Sequence, residues 1–199
     1  MVQLSAVRAD AGGNWHGVLA ASDVRRAVVR MAHQIADRNR GTANLSVIGI
    51  INRGQHLASR LASRLAEIEG HPPLLGEVSP LPFRDDMEHP APTPDQLTRL
   101  APLVDGRTVV LVDDVLNTGR TARAAIEALV ASARPARIQL AAMVDRGHRE
   151  LPIKPDYVGK NIPTAANQRV VVVLSETDGE DGVYLAAAEP QPARGERGE

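Results

Sequence analysis

The chain has 199 residues, with 23 Lys and Arg against 24 Asp and Glu, and its net charge of −1 excludes nonspecific nucleic-acid binding driven by overall charge. It contains no cysteine, which excludes disulfides, thiolate metal sites and a cysteine nucleophile and suits a reducing compartment. Aromatics make up 2% and hydrophobic residues 43%, so a single-domain core must come from Val, Leu, Ile and Ala. No apolar run approaches the roughly 18 residues that span a bilayer, and no basic-then-apolar leader opens the chain, so the expectation is a cytoplasmic protein with no membrane contact.

Residues 1–21, with Gly12, Gly13 and the lone Trp15, show weak periodicity and read as a variable arm. Over residues 23–39 the apolar positions Val24, Val28, Met31 and Ile35 share one helical face, with Ser22 as the N-cap and Gly41 as the stop. Residues 45–51 form an apolar run of strand length. After an Asn52-Arg53-Gly54 turn, Leu57, Leu61, Leu65 and Ile68 mark a second helix ending at Gly70. Residues 74–83 predict a weaker strand interrupted by Pro80 and Pro82, followed by a mobile Pro-rich loop over 87–94 and one or two helical turns over 96–103. Asp105-Gly106 turns the chain into a buried strand over 108–112, a helix carrying Ile126, Leu129 and Val130, and a third strand over 137–144. Residues 170–174 and 183–185, joined by a turn over 178–182, predict a hairpin, and the tail from 186 to 199 reads as disordered. Strands alternating with helices, and apolar along their whole length, imply a parallel sheet covered on both faces.

The chemistry concentrates in residues 109–121, VVLVDDVLNTGRT. Val109, Val110, Leu111 and Val112 form the strand, and Asp113 and Asp114 stand at its carboxyl edge, where ligands of open α/β sheets bind. Paired carboxylates there suit ribose hydroxyls or a hydrated Mg²⁺. After Val115, Leu116 and Asn117, the turn Thr118-Gly119-Arg120-Thr121 offers N–H groups and hydroxyls at a helix N-terminus, which favours a phosphate. An aspartate pair alone is better explained by solvated carboxylates at a strand end; the full ordered stretch is what points to a sugar phosphate. Neither GxxxxGK[ST] nor GxGxxG occurs, so nucleotide hydrolysis and dinucleotide binding lose their usual support.

This stretch resembles the phosphoribosyl pyrophosphate (PRPP) motif of type I phosphoribosyltransferases. Residues 138–164, IQLAAMVDRGHRELPIKPDYVGKNIPT, with Met31-Ala32-His33, Arg53-Gly54 and Arg84-Asp85-Asp86, resemble the PyrR family more specifically, over residues 22–185. That resemblance implies a Rossmann-like fold, a central mostly parallel sheet flanked by helices with a small hood. It also implies uracil phosphoribosyltransferase activity, with Mg²⁺ as cofactor, together with UMP- or UTP-responsive binding to a pyrimidine-operon mRNA leader, in a homodimer or larger assembly. Asn52, Arg53 and Gly54 would form the pyrophosphate loop. Asp113 and Asp114 would contact ribose or metal, Thr118, Gly119, Arg120 and Thr121 would hold the 5′-phosphate with Asn117 also in the PRPP-binding stretch, and Arg84 would close over PRPP. Asp145, Arg146, Val158 and Lys160 fall near the uracil hood.

The chain departs from the family pattern at Asn52, where Thr is usual, at Asn117, where Tyr is common, and over residues 79–83, where two prolines replace an Asp-containing strand. The basic residues Arg25, Arg26, Arg30, His33, Arg38, His148, Arg149, Lys154 and Lys160 would form an RNA-facing patch if the first helix and the 148–160 segment lie together; a solvated helix face explains them equally well. Two further readings stay open: an RNA-binding nucleotide sensor with little catalysis, and a phosphoribosyltransferase for another base.

Overall fold

Three of the apolar runs become neighbouring parallel strands. The computed structural model describes residues 15–85 and 90–187. Strand β1 (His16–Leu19) leads into helix α1 (Ala21–Asn39), β2 (Leu45–Ile50), α2 (Gly54–Glu69) and β3 (Leu74–Val78). A 3₁₀ turn (Leu81–Phe83) precedes α3 (Pro94–Val104), β4 (Thr108–Leu116), α4 (Arg120–Ser132), β5 (Arg137–Asp145) and β6 (Tyr157–Asn161). β7 (Gln168–Val173), a one-turn α5 (Ser175–Asp178) and β8 (Gly182–Ala187) complete the chain.

Five strands form a parallel sheet in the order β3-β2-β4-β5-β6. Successive residues of β4 face opposite sides, and both sides are dry. Val110 and Val112 join a core with α1, α2 and the small sheet, whereas Val109 and Leu111 join a second core with α3 and α4. This explains why the strands read as unbroken apolar runs. A second, antiparallel sheet has the order β1-β8-β7 and forms the hood.

Several sequence expectations change at element ends. Helix α1 is capped at Ala20 rather than Ser22, because the Asp23 carboxylate accepts the Ala20 N–H at 3.0 Å; its last turn closes through left-handed Arg40, one residue before Gly41. β3 stops at Val78, and Pro80 with the next residues turns into the 3₁₀ segment, since proline supplies no ladder donor. Ile68 and Val130, expected on buried faces, are 36% and 58% exposed. Ala122, Ala125 and Ala128 cover the sheet from α4 instead, with Leu129. The helix expected over 96–103 begins at Pro94, capped by Thr93 and Gln96. Residues 87–89 of the expected 87–94 loop and the tail beyond Ala187 lie outside the described residues.

Two strands were not expected. β1 emerges from the stretch read as an arm, where Trp15 meets Tyr184 with ring centroids 5.5 Å apart, and β6 extends the parallel sheet beyond β5. No helix among the described residues is long and apolar enough to cross a membrane.

Candidate active site

The strand order fixes where a ligand can enter. From β2 the chain moves outward to β3, then crosses back to β4 and on to β5 and β6, so the loops after β2 and β4 diverge at the carboxyl edge. Such a switch point leaves a crevice between neighbouring strands. The crevice holds two adjoining cavities that share Asp113, Val115 and Thr121. One, of about 610 Å³, is walled by Arg84, Asp85, residues 115–122 and Glu150. The other, of about 220 Å³, lies over residues 50–53 and both aspartates. The structure thus brings Asn52, Arg53, Arg84, the two aspartates and the Asn117 to Thr121 turn to one place.

Asp113 and Asp114 lie within β4, which runs to Leu116 rather than ending at Val112. Each carboxylate accepts a backbone N–H from the next residue, Asp114 N–H at 3.0 Å and Val115 N–H at 2.8 Å. Burial pushes the Asp113 carboxyl well above the usual range, and the neighbouring Asp114 charge adds to the effect. Burial also raises Asp114, against the pull of the Val115 N–H and the Arg53 charge. Among the described residues neither carboxylate has a salt-bridge partner. Two charge-deprived carboxylates facing a cavity suit a divalent cation, and Mg²⁺ characteristically takes only one or two protein carboxylates and fills its shell from water and phosphates.

Helix α2 starts immediately beside this pair. A side chain at Gly54 would place its Cβ 2.4 Å from the Val112 carbonyl oxygen, so only glycine lets the 52–54 turn sit against β4. Arg53 donates from Nε and Nη2 to the Asp178 carboxylate at 3.3 and 3.0 Å. Asp178 also accepts the Leu174 N–H and the Thr177 hydroxyl. Burial alone would raise its carboxyl, but Arg53 and these donors outweigh it and hold the group below the usual range.

On the other side, Gly119 takes φ 92° and serves as N-cap of α4, while the Thr118 hydroxyl accepts the Arg120 N–H at 3.3 Å. The guanidinium of Arg120 donates to Glu150 at 2.8 Å and to Asp85 at 2.9 Å, so two carboxylates flank the Thr118 to Thr121 turn. Arg123 anchors the Phe83 carbonyl at 2.8 Å, fixing the chain just before Arg84.

The residues expected at the base side are divided. Asp145 ends β5, next to Leu116 and Asn161 in the sheet. Arg146 turns toward the hood, donating to Thr164 Oγ1 at 3.1 Å and the Gln168 carbonyl at 2.8 Å. Val158 gives its carbonyl to Arg30 at 3.1 Å, and Lys160 is exposed on β6.

Of the basic residues, Arg25, Arg26, Arg30, His33 and Arg38 are exposed on α1, and the helix does lie against β6. Arg38 pairs with Asp156 at 2.9 Å and stacks over Tyr157 at 5.7 Å. Lys154 and Lys160 are exposed nearby in sequence. His148 and Arg149 differ: His148 Nε2 is 2.6 Å from the Thr164 carbonyl, and Arg149 is taken up by loop carbonyls and Asp145.

Sequence reasoning missed Asp178, Glu150 and the structural use of Arg149. Asp178 ends the short helix α5, 125 residues from Arg53, with no local pattern to single it out.

The family model for the phosphoribosyl transferase domain matches residues 14–177. Among solved structures, the chain is similar to the HGPRT-ase of Leishmania tarentolae, with a TM-score of 0.66 at 19% identity, covering 88% of this chain and 98% of that one. The hypoxanthine phosphoribosyltransferase of Trypanosoma cruzi gives a TM-score of 0.65 at 19% identity, over 87% and 97% of the two chains. These likenesses bear on the fold. Fold and family model together define a phosphoribosyltransferase of type I.

Curated relatives narrow the class. The chain is 49% identical to the bifunctional protein PyrR of Chloroflexus aurantiacus over 87% of its length and 96% of the relative's. It is 53% identical to that of Deinococcus deserti over 84% and 92%, and 47% identical to that of Bacillus subtilis over 81% and 91%. The chain belongs to the PyrR family.

Proposed function

We propose that the protein transfers the phosphoribosyl group of PRPP to uracil, forming UMP and pyrophosphate, and that it also binds a pyrimidine-operon mRNA leader in response to UMP or UTP. The observation that carries the catalytic reading is the pair Asp113, buried, and Asp114, half-buried, without a salt-bridge partner among the described residues: Asp113 lines the cavity closed by the Thr118 to Thr121 turn, and both line the adjoining cavity over residues 50–53.

In this reading the 5′-phosphate occupies the turn, where the first amides of α4 have no intrahelical acceptor. The ribose lies over Asp113 and Asp114, and these two carboxylates would hold Mg²⁺, which would supply positive charge to the pyrophosphate. Asn52, Arg53 and Gly54 receive the leaving group, and Arg84 covers the site. As the C1–O bond loosens, pyrophosphate departs with the bonding pair, positive charge develops on the ribose ring, and a uracil nitrogen attacks C1 and loses its proton. Catalysis rests on positioning and electrostatics, with the aspartates beside the developing cation. The base side is assigned to the segments around Asp145 and Arg146 and around Val158 to Lys160, which flank the carboxyl edge of β5 and form β6. The basic face of α1 with Lys154 and Lys160 is the surface for RNA, and cytoplasmic homodimers or larger assemblies are the working form.

The test is UMP formation from uracil and PRPP with and without Mg²⁺. Metal-dependent turnover supports the reading; no turnover together with no PRPP binding refutes it. A second reading, a nucleotide-sensing RNA-binding protein with slow turnover, is favoured by the early end of β3 at Val78 and the proline-shaped 3₁₀ turn beside Arg84. Tight UMP binding without UMP formation would select it.

A further inference from the structure

Three successive carbonyl groups leading into the phosphate turn, those of Leu116, Asn117 and Thr118, point toward one neighbouring segment. The Leu116 carbonyl accepts the Arg146 N–H at 3.1 Å and Arg149 Nη1 at 3.2 Å. That of Asn117 accepts the same Nη1, and that of Thr118 accepts the N–H groups of Glu150 and Leu151 at 3.0 and 3.1 Å. These peptides are trans, so each carbonyl and the following N–H point in opposite directions. Carbonyls drawn back by residues 146–151 therefore swing the amides of Asn117, Thr118 and Gly119 to the opposite side of the chain. These three residues line the 610 Å³ cavity. A run of N–H groups turned the same way makes an anion-binding concavity.

One side chain joins this turn to the rest of the site. Arg149 Nη2 donates to Asp145 Oδ1 at 2.7 Å, Nη1 also reaches the Gly147 carbonyl at 3.0 Å, and Nε donates to the Ile153 carbonyl at 2.9 Å. A guanidinium has five N–H donors in one plane. Contacts from Nε, Nη1 and Nη2 leave at most one of them for an outside group. A lysine ammonium, with three donors and no plane, cannot reproduce the fork.

We infer that Arg149 is a positioning residue for the 5′-phosphate: it holds the carbonyls of Leu116 and Asn117 away from the cavity, turns the next two amides into it, and ties that turn to Asp145 on the base side. Its positive charge behind the turn adds to the field felt by the phosphate. This inference rests on the phosphoribosyl reading of the cavity and removes Arg149 from the RNA-facing set.

Ribose 5-phosphate isolates the effect, because it carries the phosphate and sugar without base or pyrophosphate. Calorimetric titration of the full chain with this probe would compare wild type, Arg149→Ala and Arg149→Lys, with circular-dichroism melting on each preparation. Both variants are expected to weaken binding by on the order of tenfold or more, as small misplacements of a built site do. Lys should recover little, whereas added methylguanidinium should restore binding to the Ala variant alone. The KM for PRPP should rise more than kcat falls, a split that a general loss of fold would not give. Should the Ala variant fail to fold, the Lys variant carries the same comparison. Unchanged ribose 5-phosphate affinity in a folded variant would overturn the inference, and a simultaneous loss of leader-RNA affinity would return Arg149 to the RNA surface. A wild-type protein that binds neither PRPP nor ribose 5-phosphate would instead refute the phosphoribosyl reading itself.

Discussion

Arg53 in the loop after β2 and Asp178 in the short helix after β7, 125 residues apart, meet in a two-point ion pair of 3.3 and 3.0 Å. The Asp178 side chain is wholly buried, while that of Arg53 remains 26% exposed toward the crevice. The pair therefore ties the 52–54 loop to the hood side of the molecule and leaves one edge of the guanidinium open.

Asp178→Asn should destabilise the protein by about 2–3 kcal/mol, just under the usual cost of breaking a buried pair because Arg53 is partly solvated. Because Asp178 is held below the usual carboxyl range, its contribution is present above the unfolded value near 4 and is lost as pH falls through the folded value. Urea melts at neutral pH and in acid check this: the gap between wild type and variant should shrink in acid. A constant gap would mean that the carboxylate charge is not what stabilises.

Asp113 and Asp114 carry the opposite sign. Their raised values make the folded state most favoured in acid, and that contribution is lost as pH rises through the folded values. Asp113→Asn and Asp114→Asn, made singly, should raise the melting temperature by a few degrees while lowering kcat/KM at least about 100-fold, the usual conflict between stability and a charged site. PRPP affinity should also begin to fall at a higher pH than an ordinary carboxylate would dictate. Melting curves and pH profiles on the same variants decide both points.

Arg120 at the start of α4 has Glu150 and Asp85 beside it, and both pairs are solvent-exposed. The double variant Asp85→Asn with Glu150→Gln should bind ribose 5-phosphate a few-fold more tightly, with the gain shrinking at high salt as screening would require. Titrations at low and high ionic strength test this, and weaker binding would show that the carboxylates hold Arg120 in its working position.

At Gly54 the close approach to β4 leaves no room for a methyl group. Gly54→Ala should cost about 2 kcal/mol or more through overpacking and shift the 52–54 turn, raising the KM for PRPP. Thermal melting with steady-state kinetics would detect both; a variant with wild-type values of each would show that the turn yields easily.

Much of this architecture was legible because β2, β4 and β5 are buried on both faces and so appear as continuous apolar runs, and because α1 keeps Val24, Val28, Met31 and Ile35 on one face. β1 and β6 escaped for a physical reason. His16 and Gly17 are exposed on an edge strand, and β6 interleaves Gly159 and Lys160 with only two apolar residues, so neither presents a period-2 pattern. Ile68 and Val130 were misplaced because a helical face was extended by one apolar residue too many, while the small alanines that allow α4 to approach the sheet carry little periodic signal. At the site, the thirteen residues 109–121 were legible as a block because strand, acids and turn are contiguous. Asp178, Glu150 and the inward use of Arg149 depend on contacts between distant segments, which no local spacing encodes.

The pairing of β1 with β8 has a consequence for how the molecule is made. His16 sits opposite Leu185 and Gly17 opposite Tyr184. The parallel sheet has all its strands once residue 161 has left the ribosome, but the strand at residues 16–19 must wait for the stretch around 183–185. Closing so long a loop is slow relative to the local steps around it. The parallel-sheet half can therefore assemble during synthesis, whereas the small sheet, and with it the packing of Trp15 against Tyr184, is a late event whose arrival the single tryptophan can report by its fluorescence.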